Sequence, residues 1–400
     1  MNIVVYESII SGHRGEYISH LIRFSKRLAD NCTIYFVVSS SFEEKFEDVA
    51  GIAKNDPRQH IINLPEGYSD SLQSLSLRRR SLKEWETMTE HAKKVGADHC
   101  ILLNLNVFQY AIGKRAWKSS SMSISGILFH PFVRAEMKTK NGFSDWWAAR
   151  LSYARKYAQM IWMMQNAQLH QIHVLNDEKA ATALNKKIGL KSIFSPLPDP
   201  VPDWEANREV DLRKKYSIDS ASTLFLLFGS LRQSKGVFQA VRAFSKLDEE
   251  ARANSTLLMI GGVKEQIRNQ LLEEVRLAQR TSNVILDEGF VPERNVRPTF
   301  KQSDVVLLPY QRTEGSTGVL GHAAHAQKPV IGPETGLIGE LIRTYNLGTT
   351  TACDQPARLS SSMKAAVKHG IEVDSKRQRE YVQSRSPHAF SEKLIPAECI

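Results

Sequence analysis

Between Asp304 and Val330 the chain changes polarity in a recognisable order. Val305, Val306, Leu307 and Leu308 form an apolar, partly β-branched run that stops at Pro309. A polar loop containing Gly315 follows, an Ala-rich segment starts at Val319, and Lys328-Pro329-Val330 opens the next apolar run. This pattern predicts strand, loop, helix, strand. Residues 226–244, LLFGSLRQSKGVFQAVRAF, have the same plan: an apolar run, then Gly229, Arg232, Lys235 and Gly236, then a helical period. Apolar runs alternate with helical periods along the whole chain, which predicts an α/β protein with parallel sheets covered on both faces.

With 400 residues the chain is long enough for two domains, each able to bury its own core. The Pro-rich stretch from Pro196 to Pro202 is the best boundary. Cys32, Cys100, Cys353 and Cys399 show no metal-binding or redox spacing, so a reduced compartment is expected rather than a disulfide framework. The amino terminus opens directly on a strand pattern, without the signature of a signal peptide. No apolar run approaches the roughly 20 residues needed to span a bilayer. The expectation is a cytoplasmic protein, soluble or peripheral on the inner face of a membrane.

Two loops carry candidate chemistry. After a strand, a loop into a helix presents free amides and the positive end of the helix dipole, where anions bind. Ser316, Thr317 and Gly318 occupy that position before Val319. In the other loop Arg232 offers a planar fork and Lys235 a point charge, a pair suited to a diphosphate. Taken singly, each loop also reads as a structural turn with surface cations.

Several segments together carry a resemblance. FGSLRQSKG (228–236), IGG (260–262), NVILDEGFV (283–291) and LPYQRTEGSTGVLGHAAHAQKPVIG (308–332) occur in the order and spacing of the donor half of glycosyltransferase family 4, retaining enzymes of the GT-B fold. The match runs from about residue 222 to 350. The amino-terminal half resembles the family more loosely, in MNIVVY (1–6), SGHRGEY (11–17), GILFHPF (126–132), HVLNDEKAATALNKKIG (173–189) and SPLPDPVPDW (195–204). The resemblance implies two Rossmann-like domains whose parallel sheets face a central cleft. Residues 1–200 would form the acceptor side and 201–385 the nucleotide-sugar side. Residues 386–400 resemble the closing segment that crosses back to the first domain.

The resemblance also implies roles. Glu314 matches the first of two family glutamates spaced eight apart, the one that contacts the sugar hydroxyls and supports developing charge. The second glutamate, which binds the ribose, falls on His322, a departure that leaves ribose binding weaker or shared, since a neutral imidazole has a single acceptor nitrogen. Gly289, Phe290 and Val291 resemble the loop that contacts the nucleobase through its backbone. Ser230 stands where many relatives place an Arg, here displaced to Arg232. Gly229, Ser316, Thr317, Gly318 and Val319 join the donor side, Gly12 approaches the diphosphate from the other domain, and His13 and His130 face the acceptor or are structural.

Sugar transfer from a nucleotide diphosphate builds negative charge on the leaving group, and Arg232, Lys235 and the amides near Thr317 can stabilise it. No DxD motif is present, so metal-independent transfer without a cofactor is expected, from a UDP- or GDP-linked sugar. The net charge of +10 is uneven: residues 112–156 hold nine Lys and Arg against Glu136 and Asp145, interleaved with aromatics, and Arg78-Arg79-Arg80 form a second cluster. These cations fit an anionic membrane, a lipid-linked acceptor or a solvated face; no nucleic-acid module accompanies them. The leading reading is a retaining hexosyltransferase of polysaccharide or glycolipid assembly. A nucleotide-sugar epimerase of the same fold and a non-catalytic nucleotide-sugar-binding protein are the alternatives.

Overall fold

A computed structural model of the chain describes residues 1–10, 14–114, 122–137, 143–189, 192–201, 211–289 and 291–400. These divide into two compact units, Met1–Pro200 with Pro387–Ile400, and Val201–Ser386.

The first unit is built on seven parallel strands: β1 (Asn2–Glu7), β2 (Thr33–Val38), β3 (Gln59–Asn63), β4 (His99–Leu102), β5 (Ser123–Leu128), β6 (Leu169–Leu175) and β7 (Phe194–Leu197). Their order is β3-β2-β1-β4-β5-β6-β7. In β1, Val4 and Tyr6 enter the core on one face while Ile3 and Val5 enter the core on the other. Both faces are buried, which is why the strand reads as a continuous apolar run. The Pro-rich stretch begins inside a strand: Pro196 lies in β7, which pairs only with β6, and an edge strand tolerates the missing N–H.

The second unit has six parallel strands: β8 (Thr223–Phe228), β9 (Ser255–Ile260), β10 (Val284–Asp287), β11 (Val305–Leu307), β12 (Val330–Pro333) and β13 (Gly348–Thr351). Their order is β10-β9-β8-β11-β12-β13. Phe225 and Leu227 of β8 pack into one core, Leu224 and Leu226 into the other. The α/β class with parallel sheets expected from the alternating pattern is the one observed.

The cysteine expectation is corrected. Cys32, just before β2, and Cys399 form a disulfide with their Cα atoms 5.6 Å apart, across a separation of 367 residues. Linear spacing gave no hint of it, because the pairing arises only when Pro387–Ile400 packs on the first unit, with Phe390, Leu394 and Ile395 in its core. Cys100 and Cys353 are free and buried; burial pushes the Cys353 thiol up to about 12 and that of Cys100 higher still.

On the sheet face where Ile101 and Ile127 are buried, β4 to β7 also carry a polar row. His99 contacts Ser123 Oγ through Nδ1 (2.6 Å) and Ser125 Oγ through Nε2 (2.8 Å), and His173 Nδ1 lies 3.2 Å from Ser195 Oγ. Burial lowers both histidines from 6.5 to about 4; His170 and Lys393 add repulsion, and Glu398 slightly opposes the shift at His99. A histidine whose pKa is lowered by folding stabilises the fold above its unfolded pKa and loses that contribution as pH falls towards its folded pKa. The first unit should therefore lose stability between pH 6.5 and about 4, by about 3 kcal/mol for each histidine at about 1.4 kcal/mol per pKa unit. Denaturant unfolding across this range should show the slope, and His173→Gln should roughly halve it. An unchanged slope in that variant would assign the acid sensitivity to other groups.

Candidate functional site

In an open parallel sheet, ligands bind beyond the carboxyl ends of the strands, where the strand order reverses. In the second unit β8 is flanked by β9 on one side and β11 on the other, so the reversal lies between β8 and β11. The loop after β8 carries Arg232 and Lys235; the loop after β11 carries Glu314 and leads to the helix Gly318–His325. The fold thus brings together the two loops that the sequence singled out separately.

Their approach is set by backbone contacts. Gly236 has φ +72°, and a Cβ there would lie 1.8 Å from the carbonyl oxygen of Pro309. The amide of Gln311 donates to Ser234 O at 2.9 Å. Lys235 Nζ reaches back over the end of β8, 3.5 Å from Phe228 O, and sits 5.2 Å from the centre of the Tyr310 ring. The Tyr310 hydroxyl is 3.2 Å from Thr317 Oγ1. Thr317 is the N-cap of the following helix and makes no side-chain cap, so the first helical amides have no partner from that side chain. Thr313 O accepts from Leu337 N at 2.8 Å, tying the same loop to the one after β12.

Arg232 is exposed and Lys235 half-buried, and neither forms an ion pair among the described residues. Nearby cations of this unit do pair: Arg213 with Asp304 at 2.8 Å, Lys215 with Asp287 at 3.0 Å, and Arg268 with Glu288 at 2.7 Å. Neither the Arg232 nor the Lys235 charge is compensated among the described residues, and Lys235 stands over Tyr310 of the loop that leads to a helix amino terminus, where an anion is favoured.

The other expected positions fall as follows. Glu314, Ser316 and Thr317 are half-buried in the loop; Gly318 and Val319 are buried in the first helical turn. Gly229 has φ +96°, its amide donating to Ile260 O at 3.0 Å, and Ser230 beside it is exposed. Gly289 is exposed after β10 and Val291 half-buried. His322 is only 7% exposed, its ring 5.2 Å from that of Phe300, which in turn lies 4.9 Å from Phe228. Gly12, His13 and Phe290 lie outside the described residues. His130 is exposed in the bend after β5.

In the first unit the order reverses between β1 and β4. There Glu7 accepts from Ile9 N (2.9 Å) and Arg14 Nη1 (3.2 Å), and burial raises its carboxyl above the usual range despite Arg14. Sequence reasoning assigned no role to Glu7, Tyr310, Gln311 or Asp287. Tyr310 and Asp287 stand inside the quoted segments, but each also meets residues far away in sequence, Lys235 for Tyr310 and Lys215 and Tyr216 for Asp287. Among the described residues no group of three His, Cys, Asp or Glu side chains is placed to hold a metal ion, and no helix is long and apolar enough to cross a membrane.

Two parallel α/β sheets in separate units, each with its loops at a strand-order reversal, define the GT-B class of glycosyltransferase folds. The solved structures agree. Sucrose-phosphate synthase from Thermosynechococcus elongatus superimposes with a TM-score of 0.71 at 15% identity, over 98% of this chain and 97% of that one. Anabaena HepE, solved with UDP and glucose, gives 0.66 at 14% identity over 98% of both chains. WaaG, a glycosyltransferase involved in lipopolysaccharide biosynthesis, gives 0.63 at 16% identity over 100% of this chain and 96% of that one. At such identities the likeness is one of fold. Residues 209–385 match the family model described as Glycosyl transferases group 1, so the second unit carries a group 1 glycosyltransferase domain. Comparison with curated proteins finds no match.

The contact between Gly236 and Pro309 can be tested directly. Gly236→Ala places a methyl group in a left-handed backbone conformation and against a carbonyl, so it should destabilise the second unit by about 2–3 kcal/mol. Nucleotide binding should weaken with it. A variant as stable as the wild type in denaturant unfolding would show that the two loops do not depend on this contact.

Proposed function

We propose that the chain is a retaining glycosyltransferase that moves a hexosyl group from a nucleotide diphosphate sugar to a glycan or lipid-linked hydroxyl acceptor without a metal ion. The observation that carries this reading is unpaired Lys235, held over Tyr310 of the loop that opens the helix Gly318–His325, with exposed Arg232 three residues earlier in the same loop as Lys235, within a group 1 domain. In this reading the cations and the first helical amides take up the charge of the departing diphosphate. Glu314 faces the sugar, His322 lies towards the ribose, and Gly289 and Val291 border the base. Gly229, Ser230, Ser316, Thr317, Gly318 and Val319 line the donor, and His130 belongs to the acceptor side. Retention follows from the family resemblance. UDP is the first nucleotide to try because HepE of the same fold was solved with it.

Turnover of a panel of nucleotide sugars, with and without acceptor, separates this reading from its alternatives. An epimerase would convert donor in the absence of acceptor, and a binding protein would turn nothing over. In EDTA the wild type should retain nearly full activity. Arg232→Ala and Lys235→Ala should each lower donor use about ten- to a hundredfold with little effect on stability. Unchanged kinetics in both variants would remove the diphosphate assignment.

The acceptor side has a further feature. On the helix Phe143–Met164, Trp147 is 55% and Leu151 74% exposed, beside exposed Arg150, Arg155 and Lys156. Helical spacing predicts core packing for aromatics at these positions; Tyr153 and Tyr157 pack against the core, whereas Trp147 is largely exposed. Lys138 and Lys140 lie outside the described residues. An apolar pair among cations suits the surface of an anionic membrane, where a lipid-linked acceptor would be presented. Replacing Trp147 and Leu151 together by Ala should reduce flotation with anionic vesicles by about tenfold or more. Equal flotation would leave this face without a lipid role.

A further inference from the structure

Asp287 ends β10 and joins three of the loops at the candidate donor end. Its carbonyl accepts from Gly261 N at 2.9 Å. Gly261 has φ +137°, and a Cβ there would lie 2.3 Å from Gly229 O, so the loop after β9 is pressed against the loop that follows β8. The carboxylate works on the other side. Its Oδ1 accepts from Gly289 N at 2.9 Å, which fastens the exposed turn after β10. Its Oδ2 accepts from the Tyr216 hydroxyl and from Lys215 Nζ at 3.0 Å. Lys215 Nζ also donates to the Tyr216 hydroxyl at 2.7 Å and sits 4.5 Å from the centre of that ring. The Tyr216 ring packs against the second-unit core.

The arrangement has a direction. Tyr216, anchored in the core, holds the carboxylate; the carboxylate holds the Gly289 amide; the amide begins the segment that resembles the base-contacting loop. The hydrogen bond from Tyr216 lowers the Asp287 carboxyl below its ordinary range, so it stays an acceptor at neutral pH. The backbone contact to Gly261 needs no side chain and is therefore separable from the contact to Gly289.

We propose that Asp287, held by Tyr216 and Lys215, is a positioning residue that preorganises the base end of the donor site without touching the diphosphate end. This rests on the donor-site reading above. A turn held in its bound shape spares the ligand the cost of ordering it, so releasing the turn weakens binding of a ligand that has a base and leaves a ligand without one unaffected.

The test is calorimetric binding of UDP, GDP and inorganic pyrophosphate to the full chain and to Asp287→Ala, Asp287→Asn and Tyr216→Phe. Asp287→Ala should weaken the preferred nucleoside diphosphate by about tenfold while pyrophosphate stays within about twofold. Asp287→Asn keeps an acceptor for Gly289 but loses one for Tyr216 and Lys215, and should fall between. Tyr216→Phe should cost about threefold, and it decides the question if the Asp287 variants fail to fold. With a turnover assay the loss should appear in donor KM rather than kcat. Nucleotide affinity unchanged in Tyr216→Phe and in every folded Asp287 variant, or an equal loss for pyrophosphate, overturns the inference and leaves the donor site standing. A wild type that binds neither nucleoside diphosphate overturns the donor-site reading and this inference with it.

Discussion

The close approach of Gly236 to Pro309 is the constraint on which the second unit's site depends. Strand order alone places β8 beside β11, but it does not say how near their outgoing loops come. The missing Cβ at Gly236 lets one backbone rest on the other, the Gln311 amide then finds Ser234 O, and Lys235 is left with room to lie between Phe228 O and the Tyr310 ring. A side chain at position 236 would separate the loops and the cation would no longer stand beside the loop that leads to the helix Gly318–His325. Glycines at 261 and 336 repeat the device for the loops after β9 and β12, against Gly229 and Thr313.

The electrostatic character of the site follows from which charges the fold leaves unmatched. Arg213, Lys215 and Arg268 are matched with carboxylates within hydrogen-bond distance, and such partly exposed pairs contribute little to stability. Arg232 and Lys235 have no such partner among the described residues, so their field extends into solvent and raises the local concentration of anions.

The fold class was legible in the alternation of apolar runs and helical periods, because strands buried on both faces leave an unmistakable trace in composition. Loops such as FGSLRQSKG were legible as segments, since glycine and cation spacing is local. What joins the segments was not. Tyr310 reads as one more residue after Pro309, yet its ring and hydroxyl connect Lys235 to Thr317. Asp287 reads as the end of an apolar run, and its partners lie 71 and 72 positions earlier. The disulfide was missed for the same reason: nothing at position 32 announces a residue 367 positions away. Trp147 shows the converse: a helical period predicts burial, and the side chain is 55% exposed.

The first unit is discontinuous in the chain, and this has a consequence for how it is made. Phe390, Leu394, Ile395 and Cys399 belong to the same core as Ile3, Val5, Ile34 and Phe36, with residues 201–386 intervening. A ribosome delivers the first 200 residues long before the segment that completes their core. During that interval one face of the sheet lacks the part of its cover that Phe390, Leu394 and Ile395 supply. Folding from the amino terminus can build the sheet of the first unit but cannot finish it, so the second unit has time to fold as an uninterrupted stretch while the first still waits for its last helix.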